Sequence, residues 1–131
     1  MQYAELMTQV QERTQLATPA EAERLTETVL GVLGERLYRT VCDQMLAELP
    51  KEMKGFLFSS QPRENTWRDV QQFSVEEFYH RVGARLKLGH PAAVRQSQAV
   101  MAVIQEAVSP SIIENVRAEL PAEFATLFPN A

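Results

Sequence analysis

The chain has 131 residues, of which 45% are hydrophobic and 23% are charged, and its 17 acidic and 13 basic side chains leave a net charge of −4. This composition is typical of one globular domain and excludes a disordered tail. No segment is basic, so we expect no nucleic-acid partner. The longest apolar run, 99–104, is far shorter than the ~20 residues that cross a bilayer, so we expect no membrane partner.

Cysteine content and the N-terminal residues indicate where the protein is found. The single Cys42 cannot form an intramolecular disulfide. The first ten residues lack the basic and apolar segments of a signal peptide. The sequence therefore predicts a cytoplasmic protein.

The first predicted helix begins near residue 3 and has apolar side chains at i, i+3, i+4 and i+7. A second helix begins after Thr18, which is a favoured N-cap residue, with Pro19 at its first position. It runs to about residue 37. A third helix is predicted at 39–49 and a short fourth at 51–58.

The same four helices are predicted again in the second part of the chain. The first of them follows Ser74 and Glu77, which form a capping box, with Phe73 placed to pack on Phe78. The other three are predicted at 90–108, 110–120 and 122–128. No stretch alternates apolar and polar residues as a strand does, so the sequence predicts an all-α fold.

This recurrence is an internal repeat. The residues AELP at 47–50 return at 118–121, and 22–57 align on 93–128 without a gap, with ten of 36 positions identical. The sequence predicts one compact helical domain, 1–131, made of two tandem pseudo-symmetric repeats of three helices plus a short fourth. The repeats are 1–58 and 73–131, and 59–72 is the linker.

The two repeats are expected to share a core, since ~58 residues is near the lower limit for independent folding. Gly31 in the second helix aligns with Ala102 in its counterpart. Small residues at both positions would let these two central helices cross closely. We therefore predict a close approach of Gly31 and Ala102.

The two-copy pattern resembles the bacterial family known as domain of unknown function 2267. The resemblance covers nearly the whole chain. It implies a compact helical domain and brings no assigned activity, substrate or site residues. The residues that carry it are 47–50, 73–78, Val82, Arg85, Leu88, 106–110 and 118–128.

Cys42, His80 and His90 are the first candidates for a nucleophile or metal ligand. Cys42 aligns with Ile113, which favours a buried, structural cysteine. His80 lies off the apolar stripe of its helix, and His90 precedes a proline at a helix start, where a cap or turn role suffices. Because zinc sites need three or four ligands at short spacing, we expect no metal and no cofactor.

Two pairs of glutamates near the repeated AELP segments are identical between the repeats and could be taken for paired catalytic carboxylates. Glu52 and Glu123 follow a proline, in the first turn of a short helix, where the helix dipole favours negative charge. A structural role is therefore the simpler interpretation for all four, which are Glu48, Glu52, Glu119 and Glu123.

Arg81 and Arg85, with Glu77, are spaced four residues apart and are typical of an exposed helix face. An anion pocket is the alternative. No phosphate-binding loop or other catalytic motif accompanies them in the sequence.

Trp67 and Arg68 lie in the linker and have no counterpart in either repeat. A large aromatic side chain usually buries itself, so Trp67 could pin the linker to a groove. The alternative is an exposed interaction site, because Trp and Arg are enriched at interface hot spots. The emission of this single tryptophan distinguishes the two.

No catalytic constellation is present, which favours a protein that is not an enzyme and leaves the question open. The apolar helix faces favour a noncatalytic protein-interaction or regulatory module, with a protein partner or a homodimer. The alternative is a small-molecule binding protein or unrecognised enzyme with a pocket between the repeats.

Overall fold

The computed structural model describes residues 1–58 and 72–129, here called the first and second halves, and these residues form helices and no strands. The predicted all-α fold is confirmed. The order and lengths of the helices are compatible with two repeats. The first half contains α1 (Tyr3–Thr14), α2 (Pro19–Arg36), α3 (Arg39–Glu48) and the 3₁₀ helices Lys51–Met53 and Phe56–Phe58; the second contains α4 (Val75–Leu86), α5 (His90–Ala107), α6 (Pro110–Ala118) and the 3₁₀ helix Ala122–Leu127.

Two of the predicted helix caps are formed. The Thr18 hydroxyl accepts a hydrogen bond from the Glu21 N–H at 3.2 Å, and the Ser74 hydroxyl accepts one from the Glu77 N–H at 3.1 Å. Each bond satisfies a donor that the first turn of a helix leaves without an intrahelical acceptor. These caps define where α2 and α4 begin.

The short fourth helix of each half is a 3₁₀ helix rather than an α-helix. The segment predicted as one helix at 51–58 forms two 3₁₀ helices, and the prolines Pro50 and Pro121 directly precede Lys51–Met53 and Ala122–Leu127. Segments of three to six residues close i to i+3 bonds more readily than a full α-helical turn.

The helices of the two halves are packed against one another. α1 packs on α2 and on α5, α4 packs on α5 and on α2, and α3 packs on α6. The buried side chains form one hydrophobic cluster that draws on both halves. Truncating such a side chain to alanine typically costs about 2–5 kcal/mol. Fully buried members include Leu6, Leu33, Met45, Phe78, Ile104 and Phe124.

Gly34 in α2 allows a close approach of two backbone segments. A Cβ atom there would lie 1.7 Å from the carbonyl oxygen of Leu57, in the 3₁₀ helix Phe56–Phe58. No side chain fits in that space, so Gly34 is what lets this 3₁₀ helix pack on α2. The sequence singled out Gly31 instead, and the close approach of Gly31 and Ala102 stays a prediction.

One buried hydroxyl lacks a partner in the described part of the chain. Ser97 in α5 is fully buried, and its Oγ makes no hydrogen bond. The aligned residue in α2, Thr26, is equally buried and donates to the Ala22 carbonyl at 2.8 Å. An unpaired buried polar group costs free energy, so Ser97 is a site of local destabilisation.

Candidate interaction surface

The residues first considered as nucleophile or metal ligands lie in separate places. Cys42 is fully buried in the core, as predicted, and His80 is exposed on α4. His90 begins α5, with its Nε2 3.3 Å from a Glu76 carboxylate oxygen. Among residues 1–58 and 72–129, no three His, Cys, Asp or Glu side chains are grouped to hold a metal ion. Trp67 and Arg68 lie outside the described residues.

Glu48 and Glu119 each bind the start of a helix in the other half. Glu48 accepts hydrogen bonds from the Ser109 N–H at 2.6 Å and the Ser109 hydroxyl at 2.9 Å. Glu119 accepts one from the Tyr38 N–H at 3.0 Å. Ser109 and Tyr38 are the N-cap residues of α6 and α3, where negative charge is favoured by the helix dipole. These bonds support the structural interpretation of the two glutamates.

Glu123 also binds a helix start. Its Oε1 accepts a hydrogen bond from the N–H of Val75, the first residue of α4, at 2.8 Å. The sequence placed Glu123 in the first turn of its own short helix, which is where it lies. The contact with α4 is a further role that the local sequence does not predict. Glu52, its aligned residue, is exposed in the first turn of Lys51–Met53.

Arg81 and Arg85 converge on one buried carboxylate. Arg81 donates to Glu35 Oε1 at 2.9 Å, and Arg85 lies 2.8 Å from Glu35 Oε2. Arg81 also makes the predicted i, i+4 pair with Glu77, at 2.9 Å, and its guanidinium lies 4.0 Å from the centre of the Phe73 ring. The prediction of an exposed helix face is correct for Arg85, which is exposed, and wrong for Arg81, which is half-buried. The contacts of both with Glu35, which the i, i+4 spacing does not predict, arise because α4 packs on α2.

Arg13 and Glu106 form the matching pair on the other side of the molecule. Two oxygens of Glu106 lie 2.8 and 2.6 Å from the Arg13 guanidinium. The hydrogen bond from Arg13 lowers the pKa of the Glu106 carboxyl below its ordinary value and raises the pKa of the Arg13 guanidinium. Arg13 aligns with Arg85 and Glu106 with Glu35, so the two ion pairs are reciprocal between the halves.

A cavity of about 240 Å³ opens between the end of α6 and the last 3₁₀ helix. Its lining is mostly apolar, with one basic residue. Every lining residue of this cavity belongs to the second half, so it is not the predicted pocket between the repeats. That pocket stays a prediction. The lining residues are Arg117, Ala118, Leu120, Pro121, Ala122, Phe124, Ala125 and Phe128.

Tyr38 is the most exposed large aromatic side chain of the described residues, at 60%. Its backbone N–H is bonded to Glu119, and the chain neighbours of Glu119, Ala118 and Leu120, line the cavity. Tyr38 therefore lies at the same end of the molecule as the cavity. We call Tyr38, Arg117 and the cavity the Tyr38 surface.

Arg39, the residue after Tyr38, packs on a second aromatic side chain, that of Phe58. The Arg39 guanidinium lies 4.8 Å from the centre of the Phe58 ring, a cation–π arrangement. Arg39 also lies 3.8 Å from an Asp43 carboxylate oxygen. Within residues 1–58 and 72–129, the Arg117 guanidinium makes no hydrogen bond or ion pair.

These contacts define an all-α protein whose two halves cap and neutralise each other's polar groups. No helix in the described ranges is long and apolar enough to span a bilayer. Residues 3–127 match the family described as "Uncharacterized conserved protein (DUF2267)", and the chain belongs to that family. Among curated proteins, none matches.

Proposed function

We propose that this chain is a noncatalytic protein-interaction or regulatory module of the cytoplasm, and that the Tyr38 surface binds its protein partner. The observation that carries the proposal is the exposed Tyr38, whose N–H is bonded to Glu119 between two residues that line an apolar cavity. Tyrosine and arginine are the residue types that dominate binding energy at protein interfaces. Cys42 is the single cysteine of the chain and is buried, which is compatible with a reducing compartment.

The size of the cavity favours a protein side chain over a metabolite. Pockets that enclose small-molecule ligands span roughly 300–1,000 Å³, and this cavity measures about 240 Å³. Leu120, Phe124 and Phe128 give it an apolar interior, and Arg117 adds a positive charge. A partner segment with one large apolar anchor and a neighbouring Asp or Glu matches this surface, because carboxylate and guanidinium form strong charge-assisted hydrogen bonds.

The use of the repeated carboxylates supports a noncatalytic role. Glu48, Glu119 and Glu123 bond to backbone N–H groups at helix starts, and Glu35 and Glu106 bond to arginines. A general acid or base needs a carboxyl group that reaches a substrate. Four of these groups hold the two halves together, and Glu123 holds the start of α4 within the second half.

The proposal is tested by selecting displayed peptides on the full chain and measuring their affinities for variants. We expect the selected peptides to share an apolar anchor with an adjacent acidic residue. Binding should weaken about tenfold or more in Arg117→Glu and in Tyr38→Ser, since interface hot spots contribute about 2 kcal/mol or more.

Arg95→Glu is the matched control, because Arg95 is also an exposed arginine, on α5. This variant should bind the peptides as the wild type does. Peptides that bind Arg117→Glu and Tyr38→Ser as tightly as the wild type would contradict the proposal, and so would a selection that enriches no common motif. Peptides that reproduce a segment of this chain would identify a second copy as the partner.

A further inference from the structure

The polar contacts between the halves come in reciprocal sets. Arg13 of the first half pairs with Glu106 of the second, and Glu35 of the first pairs with Arg85 of the second. The caps described above are reciprocal in the same way. Each half therefore presents a surface that the other half complements group by group.

The contact between α3 and α6 also joins equivalent positions of the two halves. Asn115 donates a hydrogen bond from its Nδ2 to Gln44 Oε1 at 3.1 Å. These residues are 71 positions apart, which is the offset that aligns the halves. Aligned residues that touch each other lie close to an approximate two-fold axis, so the interface is nearly self-complementary.

We propose that two copies of this chain associate by exchanging halves, so that the first half of one copy packs on the second half of the other. Every contact between halves is then formed twice in the dimer, with the same partners as in the single chain. Such exchange is a low-cost route to dimers and is characteristic of repeat proteins. The proposal does not rest on the Tyr38 surface.

The covalent connection sets the concentration at which exchange competes with the closed chain. The 13 residues 59–71 join the halves, and fully extended they reach at most ~45 Å. Short connections give effective concentrations on the order of millimolar. Exchange should therefore be observed when the protein is unfolded and refolded at about 1 mM, and should be rare in dilute solution.

Two full-length charge variants test the exchange directly. Arg13→Glu places two acids against each other in its own closed chain, and Glu106→Arg places two bases against each other. In an exchanged heterodimer of the two variants, the new acid faces the new base, and the other interface is that of the wild type. After co-refolding at low ionic strength, we expect at least about tenfold more dimer, by native mass spectrometry, than from either variant alone.

The double variant Arg13→Glu with Glu106→Arg is the control, because its own closed chain restores the opposite charges. It should dimerise no more than the wild type. A co-refolded mixture with no more dimer than the separate variants would overturn the proposal. The same conclusion would follow if the wild type, refolded at about 1 mM, remained entirely monomeric.

Discussion

Glu35 and Glu106 allow burial and exposure to be compared at aligned positions of one chain. The Glu35 side chain is 6% exposed and lies 2.9 and 2.8 Å from the guanidinium groups of Arg81 and Arg85. The Glu106 side chain is 42% exposed and lies 2.6 Å from Arg13. Replacing each glutamate by glutamine removes one charge and keeps the side-chain size.

The expected costs differ because of solvent. Removing one partner of a fully buried pair costs ~3–5 kcal/mol, and here the arginines are 23% and 37% exposed, so that water relieves part of the penalty. We expect Glu35→Gln to lower the free energy of unfolding by about 2–3 kcal/mol. Exposed pairs contribute ~0.2–1 kcal/mol, and Glu106→Gln should cost that much.

Urea unfolding, followed by far-UV circular dichroism at neutral pH, measures both values. A second series at about 1 M NaCl separates the mechanisms, because the screening length falls to ~3 Å. The cost of Glu106→Gln should shrink in salt and that of Glu35→Gln should persist. The explanation is that burial makes the Glu35 pairs contribute more to stability than the exposed Glu106 pair. Equal costs of the two substitutions at low salt, or an equal loss of both costs in high salt, would refute it.

Three further predictions follow from single contacts. Gly34→Ala should cost more than about 3 kcal/mol in thermal or urea unfolding, whereas Gly55→Ala, with nothing within 4 Å of the added Cβ, should be tolerated within ~0.5 kcal/mol; equal effects would contradict the backbone contact. Ser97→Ala should leave stability unchanged or raise it by about 1 kcal/mol, because it removes an unpaired buried hydroxyl, and a clear loss in urea unfolding would indicate a partner for that hydroxyl. The lowered pKa of Glu106 means that its pair with Arg13 contributes stability above the ordinary carboxyl value of 4.5 and loses it as pH falls through the folded-state pKa; carboxyl ¹³C NMR should show this pKa rising in Arg13→Gln, and an unchanged titration would contradict the pairing.

Local structure could be predicted from the sequence because its causes are local. The Thr18 and Ser74 hydroxyls each accept a hydrogen bond from the N–H three residues ahead. The spacing of apolar residues indicates the face that each helix buries. The alignment of Cys42 with Ile113 predicted a buried position correctly. Each of these inferences uses residues within a few turns of one helix or two aligned positions.

Long-range partners could not be predicted in this way. The i, i+4 spacing gives Arg81 a local partner, Glu77, but the contact with Glu35 depends on how α4 crosses α2. The same holds for Gly34, which is critical because a 3₁₀ helix passes over it. Sequence spacing carries no information on which helix faces which, so the site residues at these crossings come only from the fold.

The Tyr38 surface is itself a product of both halves. Tyr38 belongs to the first half, while Glu119, which bonds its N–H, and the cavity residues belong to the second. An exchanged dimer restores this surface twice, with Tyr38 from one copy and the cavity from the other. A ligand that binds two states equally does not shift their ratio, yet it stabilises each against unfolding, by ~2.7 kcal/mol at 100 times its Kd. A peptide selected on the Tyr38 surface should therefore raise the Tm of monomer and exchanged dimer alike and leave their equilibrium ratio unchanged.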